Sequence, residues 1–297
     1  MATSALHYVK RRSSSEDYAL YDSVRGANEQ LSSNTTAAEV TNSATYNGLP
    51  SFDSDGFSVG NNGGTNRAPE TYVGWAWKAG NTWQSNIDGT IGSTVNANTA
   101  NGFSIVKYVG DGNSARTVGH GLTAKCDLVI IKGLDSADKW VVQLPQLGDN
   151  ARMVLEGTAA KTDDSTTAQA GNTTVFGIGG DNAVNKSGDE FIAYCWHSVS
   201  GYSKISSYTG NGSTQSITGL GFQPDWVLIK ETSAAESWRV FDSVRGATER
   251  LFPDTNGAES TGSDSLTSFD SDGFSLGSSA GVNENTQTYL YMAFKMN

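Results

Sequence analysis

The sequence is poor in cysteine, proline and charged residues, and it contains no long apolar run. Among its 297 residues are 2 Cys and 5 Pro, and charged residues make up 17%. Two cysteines do not make a disulfide framework, and Cys195, inside an apolar run, is expected to be a buried free thiol. No apolar run approaches the length of a membrane span, and residues 1–10 lack the apolar core of a signal peptide. We therefore expect no membrane insertion.

Positive charge and histidine are also scarce. The formal net charge is −11, which argues against a nucleic-acid binder, because such proteins need a basic surface to displace counterions from phosphates. It argues equally against binding to anionic membranes. The three histidines form no His-Glu-x-x-His pattern, and nucleophile-elbow and phosphate-loop motifs are absent. We therefore predict neither an enzyme nor a cofactor.

Glycine and aromatic residues, by contrast, are plentiful. The chain has 34 Gly, and aromatic residues make up 10%. Glycine and asparagine supply the positive-φ positions that turns between strands need. No window shows an apolar period of 3.6 residues over a helix-sized span. These features predict an all-β fold.

An internal repeat organises the chain. The octapeptide Ser51–Ser58 returns unchanged as Ser268–Ser275, 217 positions later. A middle copy is more diverged: Glu190–His197 matches Thr71–Lys78 at an offset of 119. Such self-similarity indicates that the fold is assembled from like units.

We predict tandem β-sandwich units. The predicted boundaries are 1–80 for an incomplete first unit, 81–100 for a linker, 101–198 for a diverged second unit and 199–297 for a third. The first unit lacks the opening strand and the Gly-Asx-Gly turn of the other two. Because an uncovered edge strand pairs readily, we expect a partner chain, an upstream segment or a neighbouring subunit to cover it.

Each complete unit is predicted to open with a hairpin and to close with a buried strand. Gly110-Asp111-Gly112 and Gly210-Asn211-Gly212 each separate two short strand-like runs, which is a hairpin signal. The closing strands carry apolar or aromatic side chains on both faces. A strand covered on both faces lies in the centre of a sheet, which favours a two-layer sandwich.

The acidic turn within the octapeptide is the first candidate site. Asp53 and Asp55, repeated as Asp270 and Asp272, resemble the start of a calcium loop, although position twelve is Gly64 rather than Glu. The same residues also make an ordinary turn. Metal binding and a structural turn are therefore the two alternatives.

Comparison of the copies points to a structural clamp between this turn and an arginine. The middle unit has Asn172 and Thr174 in place of the two carboxylates, and it has Leu147 in place of the arginine. The other two units keep all three charged residues, as expected if the groups form ion pairs. The predicted clamps are Arg25 with Asp53 or Asp55, and Arg245 with Asp270 or Asp272.

Aromatic residues outside the closing strands are candidates for stacking on a ligand. We retain Trp83 and Tyr46 as candidates for ligand stacking. Trp140 and Trp238 recur at equivalent places, where the first unit has Tyr18. Their recurrence favours a role in the core.

Five segments together carry a family resemblance: Tyr21–Gly26, Leu31–Glu39, Ser51–Phe57, Tyr72–Trp77 and Gly201–Ser213. With these motifs, the chain resembles a repeat family of tail-fibre-type structural proteins from tailed, often marine, bacteriophages. The resemblance implies concanavalin-like or jelly-roll β-sandwich repeats on the exterior of a virion. The chain departs from the family because it lacks the N-terminal half-unit and a fibrous stem.

The resemblance implies a non-enzymatic virion structural protein on the tail, as a fibre or an accessory protein, with a role in receptor binding. Capsid decoration is the first alternative, and a lectin-like module that binds glycans is the second. The expected partners are other virion proteins, further copies of the chain (trimers are common among phage fibres) and a host-surface glycan or receptor. The expected location is the virion.

Overall fold

The fold is built almost entirely from antiparallel β-sheet. The computed structural model describes residues 5–43, 45 and 47–296. Its α-helices are single turns, α1 (Asn182–Asn185) and α2 (Ala280–Asn283), and Pro145–Leu147 form a 3₁₀ turn. No helix in the described ranges is long and apolar enough to cross a membrane. The predicted all-β class is confirmed.

The first segment, residues 5–80, contains one main sheet and two short strand pairs. Its described strands are β1 (Ala5–Arg11), β2 (Ala19–Asp22), β3 (Glu29–Gln30), β4 (Val40–Thr41), β5 (Ser51–Phe52), β6 (Phe57–Ser58) and β7 (Tyr72–Lys78). Strand β1 lies between β2 and β7, while β3 pairs with β4 and β5 with β6. Strand β7 is therefore an edge of the main sheet.

The middle segment, residues 81–198, contains an eight-stranded main sheet and a small outer sheet. Its strands are β8 (Gln84–Asn86), β9 (Ser93–Asn98), β10 (Phe103–Val109), β11 (Arg116–Gly119), β12 (Leu128–Gly133), β13 (Val141–Gln143), β14 (Ala151–Val154), β15 (Thr162–Asp163), β16 (Val175–Ile178) and β17 (Glu190–Trp196). The main sheet has the order β15-β14-β13-β12-β17-β10-β9-β8, and β11 pairs with β16.

The last segment, residues 199–296, contains a six-stranded main sheet and a three-stranded outer sheet. Its described strands are β18 (Ser203–Thr209), β19 (Gln215–Thr218), β20 (Trp226–Glu231), β21 (Arg239–Asp242), β22 (Gly246–Leu251), β23 (Ser260–Thr261), β24 (Leu266–Asp270), β25 (Gly273–Leu276) and β26 (Thr288–Phe294). The main sheet has the order β18-β26-β20-β21-β22-β23, and the outer sheet has the order β19-β25-β24.

The closing strands lie at the predicted central position in two segments. Strand β17 is flanked by β12 and β10, and β26 by β20 and β18. Both strands are buried beyond their first residue, which suits their aromatic and branched side chains. Strand β7 differs, because β1 is its sole partner among the described strands. On its outer face, Gly74 and Ala76 are exposed.

The Gly-Asx-Gly turns do not form the predicted hairpins. Strand β10 pairs with β17 and β9 in the main sheet, whereas β11 pairs with β16 in the outer sheet. In the last segment, β18 pairs with β26 and β19 with β25. Each turn is therefore an arch between two packed sheets, whose separation exceeds hydrogen-bonding distance. Gly112 and Gly212 adopt φ values of 74° and 70° in these arches, which favours glycine there.

The predicted linker, 81–100, is instead part of the middle sheet. Its residues form β8 and β9, and β9 pairs along its full length with β10. Ser93, Val95 and Asn96 are buried, although the polar composition of this stretch suggested a loop. Ile87, by contrast, is 83% exposed.

The three main sheets share one central core. Trp77, Trp196 and Phe294, which occupy equivalent places on the closing strands, meet there. The ring centre of Trp77 lies 6.4 Å from that of Trp196 and 5.9 Å from that of Phe294. Apolar side chains from all three segments surround them in one continuous cluster. Separate cores between the main and outer sheets of the middle and last segments give each a two-layer arrangement, consistent with a β-sandwich.

Backbone hydrogen bonds close the three segments into a ring. Each of three equivalent bonds runs from an amide of one segment to a carbonyl of the next. The pairs are Glu39 N to Leu134 O (2.9 Å), Lys161 N to Thr232 O (2.8 Å) and Glu259 N to Arg12 O (2.9 Å). Because the third bond returns to the first segment, the ring is closed around the shared core.

Candidate functional site

The first carboxylate of each acidic turn is held by two serines of the same turn. Asp53 accepts hydrogen bonds from the hydroxyls of Ser51 and Ser58, both at 2.9 Å. Asp270 accepts the equivalent pair from Ser268 and Ser275, both at 2.6 Å. The turn thus satisfies its own carboxylate, as expected for the structural alternative.

The second carboxylate differs between the two copies. Asp272 accepts hydrogen bonds from the amides of Gly219 and Gly221, at 3.0 and 2.6 Å, and so anchors the loop that follows β19. Asp55, at the equivalent position, is exposed. The first segment has no counterpart of β19 among its described strands.

The four candidate metal ligands, Asp53, Asp55, Asp270 and Asp272, do not gather into a donor set. Within residues 5–43, 45 and 47–296, no three His, Cys, Asp or Glu side chains are placed to hold a metal ion together. Asp53 and Asp270 also lie in separate segments, and both oxygens of each already accept serine hydroxyls.

The predicted clamp between Arg25 and the acidic turn is wrong, because Arg25 binds other partners. Its Nε donates to Asp22 Oδ2 at 2.5 Å, and its Nη1 donates to Glu39 Oε2 at 2.7 Å. Further bonds reach the carbonyls of Glu29 and Leu20. Arg25 therefore does not pair with the carboxylates of the acidic turn. Asp22 lies only three residues earlier in the same tight turn, so it reaches the guanidinium without ordering another loop.

Arg245 forms the same arrangement in the last segment, without Asp270 or Asp272. Its Nε donates to Asp242 Oδ2 at 2.5 Å and its Nη1 to Glu259 Oε2 at 2.8 Å. Both the Arg245 and the Asp242 side chains are at least 95% buried. Two charges in such a site are stable only when paired and fully hydrogen-bonded.

Each buried aspartate also binds an aromatic donor from another segment. Tyr194 Oη donates to Asp22 Oδ2 at 2.7 Å, and Trp75 Nε1 donates to Asp242 Oδ2 at 3.0 Å. Tyr194 and Trp75 occupy equivalent positions on the closing strands. The third such position holds Met292, which has no donor hydrogen. The third interface correspondingly has a leucine in place of the aspartate.

Sequence reasoning missed the aspartates and glutamates of these networks, although a signal was present. Asp22 and Glu39 recur as Asp242 and Glu259 at the same offset of 220, whereas the middle segment has Leu144 at the aspartate position. The middle segment therefore lacks the aspartate as well as the arginine. The middle segment also lacks the acidic turn, so the sequence pattern fits either partner for the arginine.

Three buried lysines lie at equivalent ends of strands β1, β12 and β20. Lys10, Lys132 and Lys230 are each 0% exposed, and burial lowers the pKa of each to about 8. Their ammonium groups donate to backbone carbonyls. Lys10 reaches Asn256 O at 3.2 Å and Lys230 reaches Thr158 O at 3.2 Å, in each case in another segment.

The aromatic candidates fall into two groups. Trp140 and Trp238 are at most 1% exposed, which confirms the core interpretation. Their indole N–H groups donate to carbonyls of a neighbouring segment, Trp238 to Val154 O at 3.0 Å. Trp83 is 38% exposed and remains available to a ligand. Tyr46 lies outside the described residues.

Contacts between segments are thus made by the buried aspartates, by Lys10 and Lys230 and by the core tryptophans. Comparison with curated proteins and with solved structures finds no match to this sequence. Residues 2–295 do match a family described as a domain of unknown function, DUF7483. Because that match covers nearly the whole sequence, the chain belongs to the DUF7483 family.

Proposed function

We propose that the chain is a non-enzymatic structural protein of a tailed-phage particle, carried on the tail as a fibre or accessory protein. The structural role is supported by what the buried charged side chains do in the fold. The buried aspartates accept hydrogen bonds from another segment, and Lys10 and Lys230 donate to carbonyls of another segment. The buried arginines pair with these aspartates within their own segments. The phage part rests on the family resemblance of the repeat motifs.

The contacts between segments favour a rigid body. Arg12 of the first segment donates to Glu259 at 2.7 Å, and Glu259 also binds Arg245 in the last segment. Charge-assisted bonds of this kind are directional and hold a fixed orientation. A particle component that must keep its shape under load benefits from such fixed interfaces.

The central cavity also fits a structural role better than a binding role. It measures about 60 Å³ and is lined by apolar and aromatic side chains, including Leu6, Trp77 and Met292. Pockets for small-molecule ligands are usually about 300–1,000 Å³ and contain a few placed polar groups. An apolar void of this kind stays dry and serves packing alone.

Particle analysis tests the proposal. Purified particles of a phage that encodes this sequence should contain the chain by mass spectrometry, and immunogold electron microscopy should place it on the tail. Labelling of the shell instead would favour capsid decoration. Absence of the chain from washed particles would contradict a virion role altogether.

One surface observation favours a second candidate, glycan binding. Trp83 is 38% exposed, and its neighbours in sequence, Thr82 and Gln84, line an open cleft of about 340 Å³ together with Asn86 and Asp88. Aromatic faces stack on sugars, while amide and carboxylate groups hold hydroxyls. A glycan array with the parent and Trp83→Ala tests this. A hit that survives the substitution would remove Trp83 from the site.

A further inference from the structure

Among its described residues, the first segment has no counterpart of β10 and β11 in the middle segment or of β18 and β19 in the last segment. In the last segment, β18 covers one edge of β26 and β19 covers one edge of β25. Strands β7 and β6 hold the equivalent positions in the first segment. Among the described strands, β7 pairs with β1 alone and β6 with β5 alone. The corresponding edges of the main and outer layers are therefore both open.

Apolar side chains next to this opening are exposed, although their equivalents are buried. Phe57 and Val59 are 36% and 39% exposed. In the last segment the same positions hold Phe274 and Leu276, both 0% exposed. The difference follows from the missing strands, because β18 and β19 help to close the outer core there. A strand added at this edge would remove the apolar surface of these two side chains from water.

An asparagine beside the opening is positioned to hold an arch that the first segment does not contain. Asn283 binds the arch of the last segment: its Oδ1 accepts from Asn211 N at 2.8 Å. In the middle segment, Asn185 Oδ1 accepts from Asp111 N at 2.9 Å. The equivalent residue of the first segment is Asn66, which is exposed.

Asn66 already has the orientation of its buried counterpart. Its Nδ2 donates to Gly60 O at 2.7 Å, just as Asn283 Nδ2 donates to Gly277 O at 2.8 Å. The side chain is therefore held with its position fixed before any arch is bound. Such preorganisation lowers the entropy cost of binding.

A tyrosine and an aspartate complete the opening. Tyr208 of β18 stacks on Tyr289 with ring centres 5.1 Å apart, and Tyr72 is the partly exposed equivalent of Tyr289. At the other end, Asp272 anchors the loop after β19, and its equivalent Asp55 is exposed. Asn66, Tyr72 and Asp55 thus present the contacts that the last segment uses to hold its own arch.

We propose that this opening binds a strand–arch–strand element of another polypeptide with the pattern Tyr-x-Gly-Asx-Gly. Both occupied openings contain that pattern, as Tyr108–Gly112 and Tyr208–Gly212. The first strand of the partner adds to β7, its tyrosine stacks on Tyr72, and its second strand adds to β6. Addition of a strand to an open edge is an established mode of peptide recognition.

A second folded copy of this chain has no free strand–arch–strand element of this pattern to offer. Its two elements of this pattern are already seated, with Tyr108 and Tyr208 at most 9% exposed. Their hydroxyls donate to Val184 O at 2.6 Å and Val282 O at 2.5 Å. Release of either element would open a core, so neither of these two elements is free to fill the opening of a second copy. This inference does not depend on the phage role, because purified protein tests it.

A peptide with the sequence of residues 201–222 is the probe. Added to the full chain, it should slow amide hydrogen exchange in Tyr72–Lys78 and Phe57–Ser58 and leave exchange in Thr288–Phe294 unchanged. A peptide with Tyr208→Ala should bind at least about tenfold more weakly, because it loses a buried aromatic contact. Equal binding of the two peptides would overturn the proposal.

Variants of the chain locate the site. Asn66→Ala should weaken binding of the probe about tenfold, as expected for loss of its hydrogen bonds to the arch. Asn182→Ala, at an exposed residue of α1, is the matched control and should bind as the parent does. If both variants bind equally, Asn66 does not hold the arch. Protection of β7 that grows with protein concentration alone would identify a second copy as the occupant.

A fusion keeps the test decisive if the free peptide aggregates. Residues 201–224 joined in front of Met1 should protect the same amides of β7 and β6, and should raise the midpoint of thermal unfolding. The same fusion with Tyr208→Ala in the added element is the control. If the fused element leaves β7 and β6 as unprotected as in the parent, the proposal fails.

Discussion

Tyr194 donates a hydrogen bond to the carboxylate of Asp22 over 2.7 Å, although the two residues belong to different segments. The bond adds to the ion pair between Asp22 and Arg25, so one buried carboxylate ties a turn to a neighbouring sheet. Trp75 and Asp242 repeat the relationship at another interface. The interface with Leu144 and Met292 does without it. Polar and apolar versions of one contact therefore coexist in one chain.

Removal of Arg25 alone should be costly. We expect Arg25→Leu to lower the free energy of unfolding by about 3–5 kcal/mol, because Asp22 is left buried without its counter-charge. The triple variant Arg25→Leu, Asp22→Leu, Tyr194→Met copies the apolar interface and should recover most of that loss. Urea denaturation measures both. A triple variant as unstable as the single one would mean that the apolar solution does not transfer.

His7 should make the chain sensitive to mild acid. His7, on strand β1, is buried against the rings of Phe52 and Phe57, and this burial lowers its pKa to about 4. Between pH 6.5 and 4, the unfolded chain therefore binds a proton that the folded chain does not, and stability falls by up to about 1.4 kcal/mol per pH unit. The equivalent positions hold Val129 and Val227. His7→Val should remove this part of the slope in urea titrations from pH 7 to 4.5, and an unchanged slope would refute it.

The buried lysines should make the stability of the chain depend on pH in the alkaline range. Burial lowers the pKa of Lys230 to about 8, below the value near 10.4 of an unfolded lysine. Between pH 8 and 9.5 the unfolded chain holds more protons, so the folded chain gains stability as pH rises, by up to about 1.4 kcal/mol per unit. Lys230→Met should flatten this rise. Lys125→Met, at an exposed residue, controls for net charge, and equal curves for the two variants would count against the prediction.

The three equivalent asparagines should differ in their contribution to stability. Asn283→Ala should lower the free energy of unfolding by about 2–4 kcal/mol, because the arch amides and carbonyls that it binds would be left without partners. Asn185→Ala should behave similarly. Asn66→Ala should cost less than about 1 kcal/mol, since its side chain is exposed and donates to Gly60 O. Equal losses at all three sites would argue that Asn66 already holds an arch.

The sequence alone was sufficient for the fold class and for much of the core. The alternating aromatic residues of 190–196 and 288–294 predicted central strands, and the recurrence of Trp140 and Trp238 predicted buried residues. Period and recurrence report burial directly, because a buried face tolerates few polar side chains. Strand β9 escaped prediction because Ser93–Asn98 pair through the backbone and carry few apolar side chains.

Contacts between distant parts of the chain were harder to predict. The arches were mistaken for hairpins because a Gly-Asx-Gly turn reports only a change of direction, and not which sheet each strand joins. The arginines were assigned to the acidic turn because both features disappear together in the middle segment. The middle segment also lacks an aspartate at the position of Asp22. The sequence therefore offers two possible partners for the arginine, and only the three-dimensional structure shows which one it binds.

The closed ring of segments has a consequence for stoichiometry. A trimer of identical chains would offer three equivalent openings, whereas here three unequal segments are joined covalently and the opening beside Asn66 occurs once. Its counterparts beside Asn185 and Asn283 are filled from within the chain. One molecule would therefore accept one Tyr-x-Gly-Asx-Gly element. Three like segments that close around one core are in this way given a single direction of attachment.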